Sequence, residues 1–223
     1  MSAILLQGSQ LNHLGKERIV AIGDTHTKHR KLQVPDGDVL VFAGDGEFRS
    51  ALDLIDFNSW LSELGHGLVI VIAGNHDFFC ERFPNEVGKY LTKAIYLRDE
   101  QYALPNGMAL WASPMTPTFL NWAFMESDDN LDRYYWSKIP QKTDVLLTHG
   151  SAHGYLDVAQ PQGDHLGSKT LADRIEKLKI PYVIHGHIHG SYGIKKTKET
   201  TYINCSVLNE DYDLVNQPIV IDV

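Results

Sequence analysis

The chain has 223 residues, 43% hydrophobic and 22% charged, enough for one globular domain with a sizeable core. Its formal net charge is −8 and it has no basic run, which argues against a partner such as long nucleic acid held through its phosphates. Two cysteines without a C-x-x-C pair, and no apolar run long enough for a bilayer, point to reduced thiols in a cytoplasmic protein that does not enter membranes.

Residues 1–17 read as an N-terminal arm or an extra edge strand. The apolar patch at 1–6 lacks a basic flank and is too short for a secretory signal. From Arg18 the pattern sharpens. Ile19-Val20-Ala21-Ile22, Val39-Leu40-Val41-Phe42-Ala43 and Leu68-Val69-Ile70-Val71-Ile72-Ala73 are continuous apolar runs, as expected of strands buried on both faces. Between the second and third lies a helix capped by Ser50, with Leu52, Ile55, Phe57, Trp60, Leu61 and Leu64 as its apolar face and Gly65 at its end. Strand, helix and strand in this order imply parallel pairing through right-handed crossovers.

The segment from Asp77 to Leu91 reads as partly helical. Ala94–Leu97, Tyr102–Leu104 and Met108–Ala112 read as strands, the last two joined by a Pro105-Asn106-Gly107 turn. Ser113–Phe124, rich in Pro, Trp and Phe, is expected to loop over a pocket, with Trp111, Phe119, Trp122 and Phe124 packing as core or lid. A short helix is expected over Leu131–Lys138 and a buried strand over Val145–Leu147. A long loop over 150–167 then precedes a helix capped by Ser168 with Leu171, Ile175 and Leu178 inward. The next strand begins at Tyr182 and runs into His185-Gly186-His187-Ile188-His189, where alternation would place His187 and His189 on one side of a strand end. Thr201–Val207 and Ile219–Val223 close the chain. His185 reads as a packed histidine, and His13, His29 and His66 as surface ones.

Five of these strands stop at a glycine with a polar group within two residues. The groups are Asp24 and His26, Asp45, Asn75, His149, and His187 and His189. In α/β sheets function collects beyond the carboxyl ends of the strands. Seven oxygen and nitrogen donors exceed the four that one tetrahedral ion needs and suit two divalent ions sharing one carboxylate.

The series Gly23-Asp24-Thr25-His26, Gly44-Asp45, Gly74-Asn75-His76-Asp77, Thr148-His149 and Gly186-His187-Ile188-His189 resembles the calcineurin-like metallophosphoesterase superfamily from Arg18 to the C-terminus. Outside these motifs, residues 95–97, 112–119, 146–150 and 200–206 are similar to its metallophosphoesterase-domain-containing branch. The resemblance implies a single domain over 18–223: an α/β, four-layer αββα sandwich of mixed sheets flanked by helices, with its site at the strand ends. It also implies that Asp24, His26 and His189 hold one ion, that Asn75, His149 and His187 hold a second, and that Asp45 bridges them. His76 would face the substrate as general acid, with Asp77 orienting it. Phe48 stands where the motif has an acid. Arg49 holds the motif's arginine position and is a candidate phosphate contact; His153 and His165 of the long loop read as solvated, with His153 also a candidate substrate contact.

The resemblance, together with the lack of a basic run, implies a metal-dependent phosphodiesterase that uses a metal-activated hydroxide on a small phosphodiester, with a cyclic nucleotide as the expected substrate. The donors suit manganese first, then iron, zinc, nickel or cobalt. The competing readings are a phosphomonoesterase or protein phosphatase, and a scaffold that keeps the fold with weak chemistry. Oligomeric state is not legible in the residues.

Overall fold

A computed structural model describes residues 16–160 and 163–223. The expected N-terminal arm lies outside the described residues for 1–15, as does His13. Glu17 exchanges two backbone hydrogen bonds of 2.9 Å with Val223.

The first half of the chain alternates strand and helix: β1 (Arg18–Ile22), β2 (Val39–Ala43), α1 (Ala51–Leu61), β3 (Leu68–Ile72), α2 (Phe78–Arg82), α3 (Val87–Tyr90) and β4 (Ile95–Tyr96). The second half holds β5 (Glu100–Ala103), β6 (Ala109–Ser113), β7 (Thr116–Pro117), β8 (Met125–Glu126), α4 (Asp128–Tyr134), β9 (Val145–Thr148), α5 (Lys169–Leu178), β10 (Tyr182–His185), β11 (Gly193–Lys196), β12 (Thr201–Asn204) and β13 (Ile219–Asp222). One sheet has the order β13-β1-β2-β3-β4, parallel except for β13. The other has the order β11-β12-β10-β9-β6-β5, with a parallel centre and antiparallel edges.

The continuous apolar runs have a simple cause. Ile19, Ala21, Val41 and Ile70 of the first sheet share a core with Leu110, Val145, Leu147 and Ile184 of the second. The alternate residues, such as Val20, Leu40 and Phe42, or Leu146 and Val183, are buried with helix residues Leu54, Phe57 and Trp60, or Leu171, Ile175 and Leu178. Both faces of each central strand are therefore dry, giving the layers helix, sheet, sheet, helix. Each Val, Leu, Ile or Phe among them contributes about 1.5–3 kcal/mol on full burial.

Several expectations shift. Leu52 and Ile55 of α1 are 74% and 46% exposed, and Leu54 takes the buried place instead. The expected helix over Leu131–Lys138 starts earlier and is broken: α4 ends at Tyr134 and a 3-10 turn covers Trp136–Lys138. The last parallel strand stops at Asn204 rather than running to Val207. His29 is buried beneath Phe57 and Trp60, with its Nε2 3.0 Å from Asp56, so it is not a surface residue. Ser168 caps α5 as expected, accepting from the Leu171 N–H at 2.9 Å. The two sheets meet at one rim, where Gly23 after β1 bridges Ser206 after β12.

Candidate metal centre

The loops that leave β1 and β2 are zipped together at this rim. Asp24 N–H donates to Gly44 O at 2.9 Å, and His26 N–H to Asp45 O at 3.1 Å. Such tight turns force the left-handed region: φ is 54° at Asp24, 38° at His26, 59° at Asp45, 67° at Glu47 and 69° at His187. For residues with a Cβ this conformation is strained by about 1–3 kcal/mol each, and such strain gathers at functional sites. Two glycines are required by close approach. A Cβ on Gly74 would stand 2.3 Å from Asp45 Oδ1, and one on Gly186 would stand 2.3 Å from Asp24 Oδ2.

The turns bring all seven expected donors to one place, in two groups. Asp24, His26 and His189 have ligand atoms within 4.8 Å of one another, and so do Asp45, His149 and His187. Asn75 joins the second group, its Oδ1 2.8 Å from His149 Nε2. Asp45 lies between the groups: its Oδ2 is 3.4 Å from His149 Nε2 and 3.7 Å from His26 Nε2. His189 Nε2 lies 3.7 Å from Asp24 Oδ1.

His187 and His189 reach these groups by a route other than the expected one. The strand stops at His185; Gly186 and His187 turn away, and His189 sits in a 3-10 turn over His189–Ser191. The two imidazoles are therefore divided between the groups rather than side by side on one strand face.

Whether ions fit is testable on the geometry. Two ligands bonded to one ion at ordinary lengths stand about 3.0–3.4 Å apart. The Asp45–His149 distance meets this value and the 3.7 Å pairs lie just above it, while all three exceed a good hydrogen bond. Nε2 of His26 is buried without a hydrogen-bond partner. The opposite nitrogens of two histidines are held from behind, His149 Nδ1 by Ala43 O at 2.8 Å and His189 Nδ1 by Asn209 O at 3.0 Å. That arrangement fixes the tautomer that presents Nε2. Asp24 is braced by the Ser206 hydroxyl and the His187 N–H. The residues fit a pair of divalent ions with oxygen and imidazole ligands.

Charge follows the same geometry. Burial alone would raise the Asp45 carboxyl, but His149, His26 and His76 outweigh it and hold the group well below the ordinary carboxylate range. Asp24 is likewise lowered, burial being opposed by the His189 hydrogen bond and the charges of His189 and His149. Both thus offer a carboxylate to a cation.

Asp77 departs from expectation. Its Oδ2 accepts from the backbone N–H of Asp45 at 2.9 Å, Gly74 at 2.8 Å and Gly46 at 3.4 Å, and its Oδ1 from Phe48 at 2.8 Å. It ties the loop after β2 to the loop after β3 and does not orient the His76 ring. The acid facing His76 is Glu47, whose Oε2 is 3.6 Å from His76 Nδ1. Glu47 is invisible to sequence reasoning: it is one acid in an aperiodic loop, and its partners are 21 and 29 residues away. Arg49 pairs with Glu47, its side chain 68% exposed and outside the cavity lining. His153 and His165 also lie outside the lining and gather around the buried Asp157 at 3.8 and 2.7 Å.

The rim opens into a cavity of about 290 Å³. His26, Asp45, Asn75, His76, His187 and His189 form its floor. Phe119, Trp122 and Leu166 form an apolar wall, and Glu210 and Tyr212 close the other side. Trp122 packs on His76 at 4.8 Å between centroids, so the loop over Ser113–Phe124 does cover the pocket, while Trp111 and Phe124 belong to the core. Tyr212 meets His26 and His189 edge-on at 4.8 and 5.1 Å, a contact that its sequence surroundings do not disclose.

Residues 17–191 match the family model described as Calcineurin-like phosphoesterase. Human metallophosphoesterase domain-containing protein 1 is 34% identical over 93% of this chain and 71% of its own length. A Caenorhabditis elegans UPF0046 protein is 29% identical over 91% of this chain and 74% of its own. Among solved structures, TT1561 of Thermus thermophilus superposes with a TM-score of 0.61 at 13% identity, covering 93% of this chain and 99% of that one. A dimetal phosphatase from Danio rerio superposes with a TM-score of 0.55 at 11% identity, covering 85% and 87%. At such identities these two likenesses speak for the fold alone.

Proposed function

The chain belongs to the calcineurin-like phosphoesterase family of metal-dependent phosphoester hydrolases, and from that premise we propose that it hydrolyses a small phosphodiester. The observation that carries the diester reading is the charge of the cavity. Its described lining includes Glu210 and Asp45 but no lysine or arginine, and Arg49 is turned to Glu47. A phosphomonoester carries about 1.5–2 negative charges at neutral pH and a diester only one. The charge of bound ions would be common to both esters, so a lining without lysine or arginine leaves the extra charge of a monoester uncompensated and favours the monoanion.

Asp24, His26 and His189 would hold one ion and Asn75, His149 and His187 the other, with Asp45 shared. When bound, such a pair supplies Lewis acidity and a hydroxide nucleophile at neutral pH; manganese is our first choice for a donor set of oxygen and imidazole. His76 lines the same cavity with its ring free of Asp77, and it is the side chain we assign to protonate the leaving alkoxide. Phe119, Trp122 and Leu166 suit a flat apolar substituent on the ester, which supports a cyclic nucleotide as substrate.

Both sheets contribute to one apolar layer, which supports reading 18–223 as one domain. No described helix is long and apolar enough to cross a membrane. The free, buried Cys80 and Cys205 fit a reducing compartment, and a cytoplasmic location is the reading they support.

The test is a comparison of bis-p-nitrophenyl phosphate with p-nitrophenyl phosphate in added manganese, followed by 2′,3′- and 3′,5′-cyclic nucleotides. A kcat/KM at least about tenfold higher for the diester is expected, a preference of roughly 1.4 kcal/mol. Equal or better turnover of the monoester would replace this reading with a phosphomonoesterase.

A further inference from the structure

We propose that Glu47 is a positioning residue that sets the rings of His26 and His76 together, an assignment that rests on the phosphoester-hydrolase reading above. Glu47 Oε2 lies 2.7 Å from Nδ1 of His26, a hydrogen bond, and 3.6 Å from Nδ1 of His76, an ionic contact. The two rings meet edge to face, with centroids 4.9 Å apart. The other carboxylate oxygen pairs with the Arg49 guanidinium, so the acid is gripped from both ends.

The consequence for His26 is a fixed tautomer. A carboxylate accepting from Nδ1–H leaves Nε2 with its lone pair. That Nε2 is the buried atom without a hydrogen-bond partner, and it faces Asp45 Oδ2 across 3.7 Å. Carboxylates placed behind metal-binding imidazoles in this way orient the ring and raise its basicity, and their removal typically weakens metal binding about 10–100-fold. His149 and His189 have backbone carbonyls in this role; His26 has Glu47.

The consequence for His76 is restraint from two sides. Trp122 packs on one side of its ring and Glu47 faces Nδ1. Asp77 is not free for this task, because its four hydrogen bonds go to backbone amides. One carboxylate therefore links a residue of the ion-binding floor to the assigned proton donor. The loop that carries it is itself fixed: Thr27 N–H donates to Gly46 O at 3.3 Å, and Glu47 holds a φ of 67°.

The competing assignment is direct ligation, since His26, Glu47 and His76 also have ligand atoms within 4.8 Å of one another. The experiment compares wild type, Glu47→Ala and Glu47→Gln. Three readouts apply: manganese stoichiometry and affinity by calorimetry, the His26 tautomer in the metal-free protein by imidazole 15N NMR, and turnover of diesters with alkyl or p-nitrophenyl leaving groups. Wild type should bind two ions and show an Nδ1-protonated His26. Glu47→Ala should weaken one ion about 10–100-fold, spare the other, lose the single His26 tautomer, and lose more turnover on the alkyl ester than on the p-nitrophenyl ester. Glu47→Gln keeps an acceptor oxygen and should restore most of the affinity and the tautomer. It also stands in if the alanine variant does not fold.

Wild-type affinity and tautomer in Glu47→Ala would overturn the proposal and leave the hydrolase reading intact. A third ion in wild type that is absent from Glu47→Gln would make Glu47 a ligand instead. If the ion and tautomer effects appear while wild type turns over no ester, the hydrolase reading fails and the positioning role stands.

Discussion

At the scale of single residues, the proposed function separates side chains that would hold ions from one that would move a proton. His76 lines the cavity but is in neither ion-binding group with Asp24 or Asp45. His76→Ala is expected to keep both manganese ions, as measured by metal content. It should lose about 10²–10⁴-fold in kcat on an alkyl phosphodiester and much less on a p-nitrophenyl ester, whose leaving group needs no proton. An unchanged rate on the alkyl ester would remove His76 from that role. The positions of the seven candidate donors are legible because each lies close to a glycine at the end of an apolar run, a pattern that local sequence carries. Glu47 and Tyr212 are not, because nothing local marks a loop residue whose partner lies across the rim. Asp77 differs from its expected role for a related reason. Adjacency to His76 suggests a ring contact, whereas the backbone amides of two tight turns have the stronger claim on a buried acceptor.

At the scale of elements, the strands were easier to read than the helices. A strand buried on both faces is apolar at every position, so β1, β2, β3, β9 and β10 stand out without any phase to determine. A helix has a phase, and apolar residues on the solvent side obscure it. In α1, Leu52 and Ile55 are exposed while Leu54 and Phe57 are fully buried. The consequence is measurable by denaturant unfolding. Leu54→Ala should cost about 2–5 kcal/mol and Leu52→Ala less than about 0.5 kcal/mol. Equal losses would contradict the phase of the helix described here. The end of β10 shows a different limit. Alternation along a strand places His187 and His189 together only if the strand continues, but it stops at His185 and His187 is left-handed.

At the scale of the whole molecule, two sheets press together so that the loops after β1, β2, β3, β9 and β10 meet along one rim. Candidate ligands far apart in the chain then share one space: Asp24 with His189, and Asp45 with His149 and His187. The family pattern anticipated this convergence; the residues alone showed only that each strand ended in a donor. Anomalous scattering at the manganese edge from crystals grown with excess manganese is the most direct test. Two peaks about 3.5–4 Å apart with the Asp45 carboxylate between them are predicted. A single peak, no peak, or an Asp45 carboxylate turned away from both groups would contradict the account.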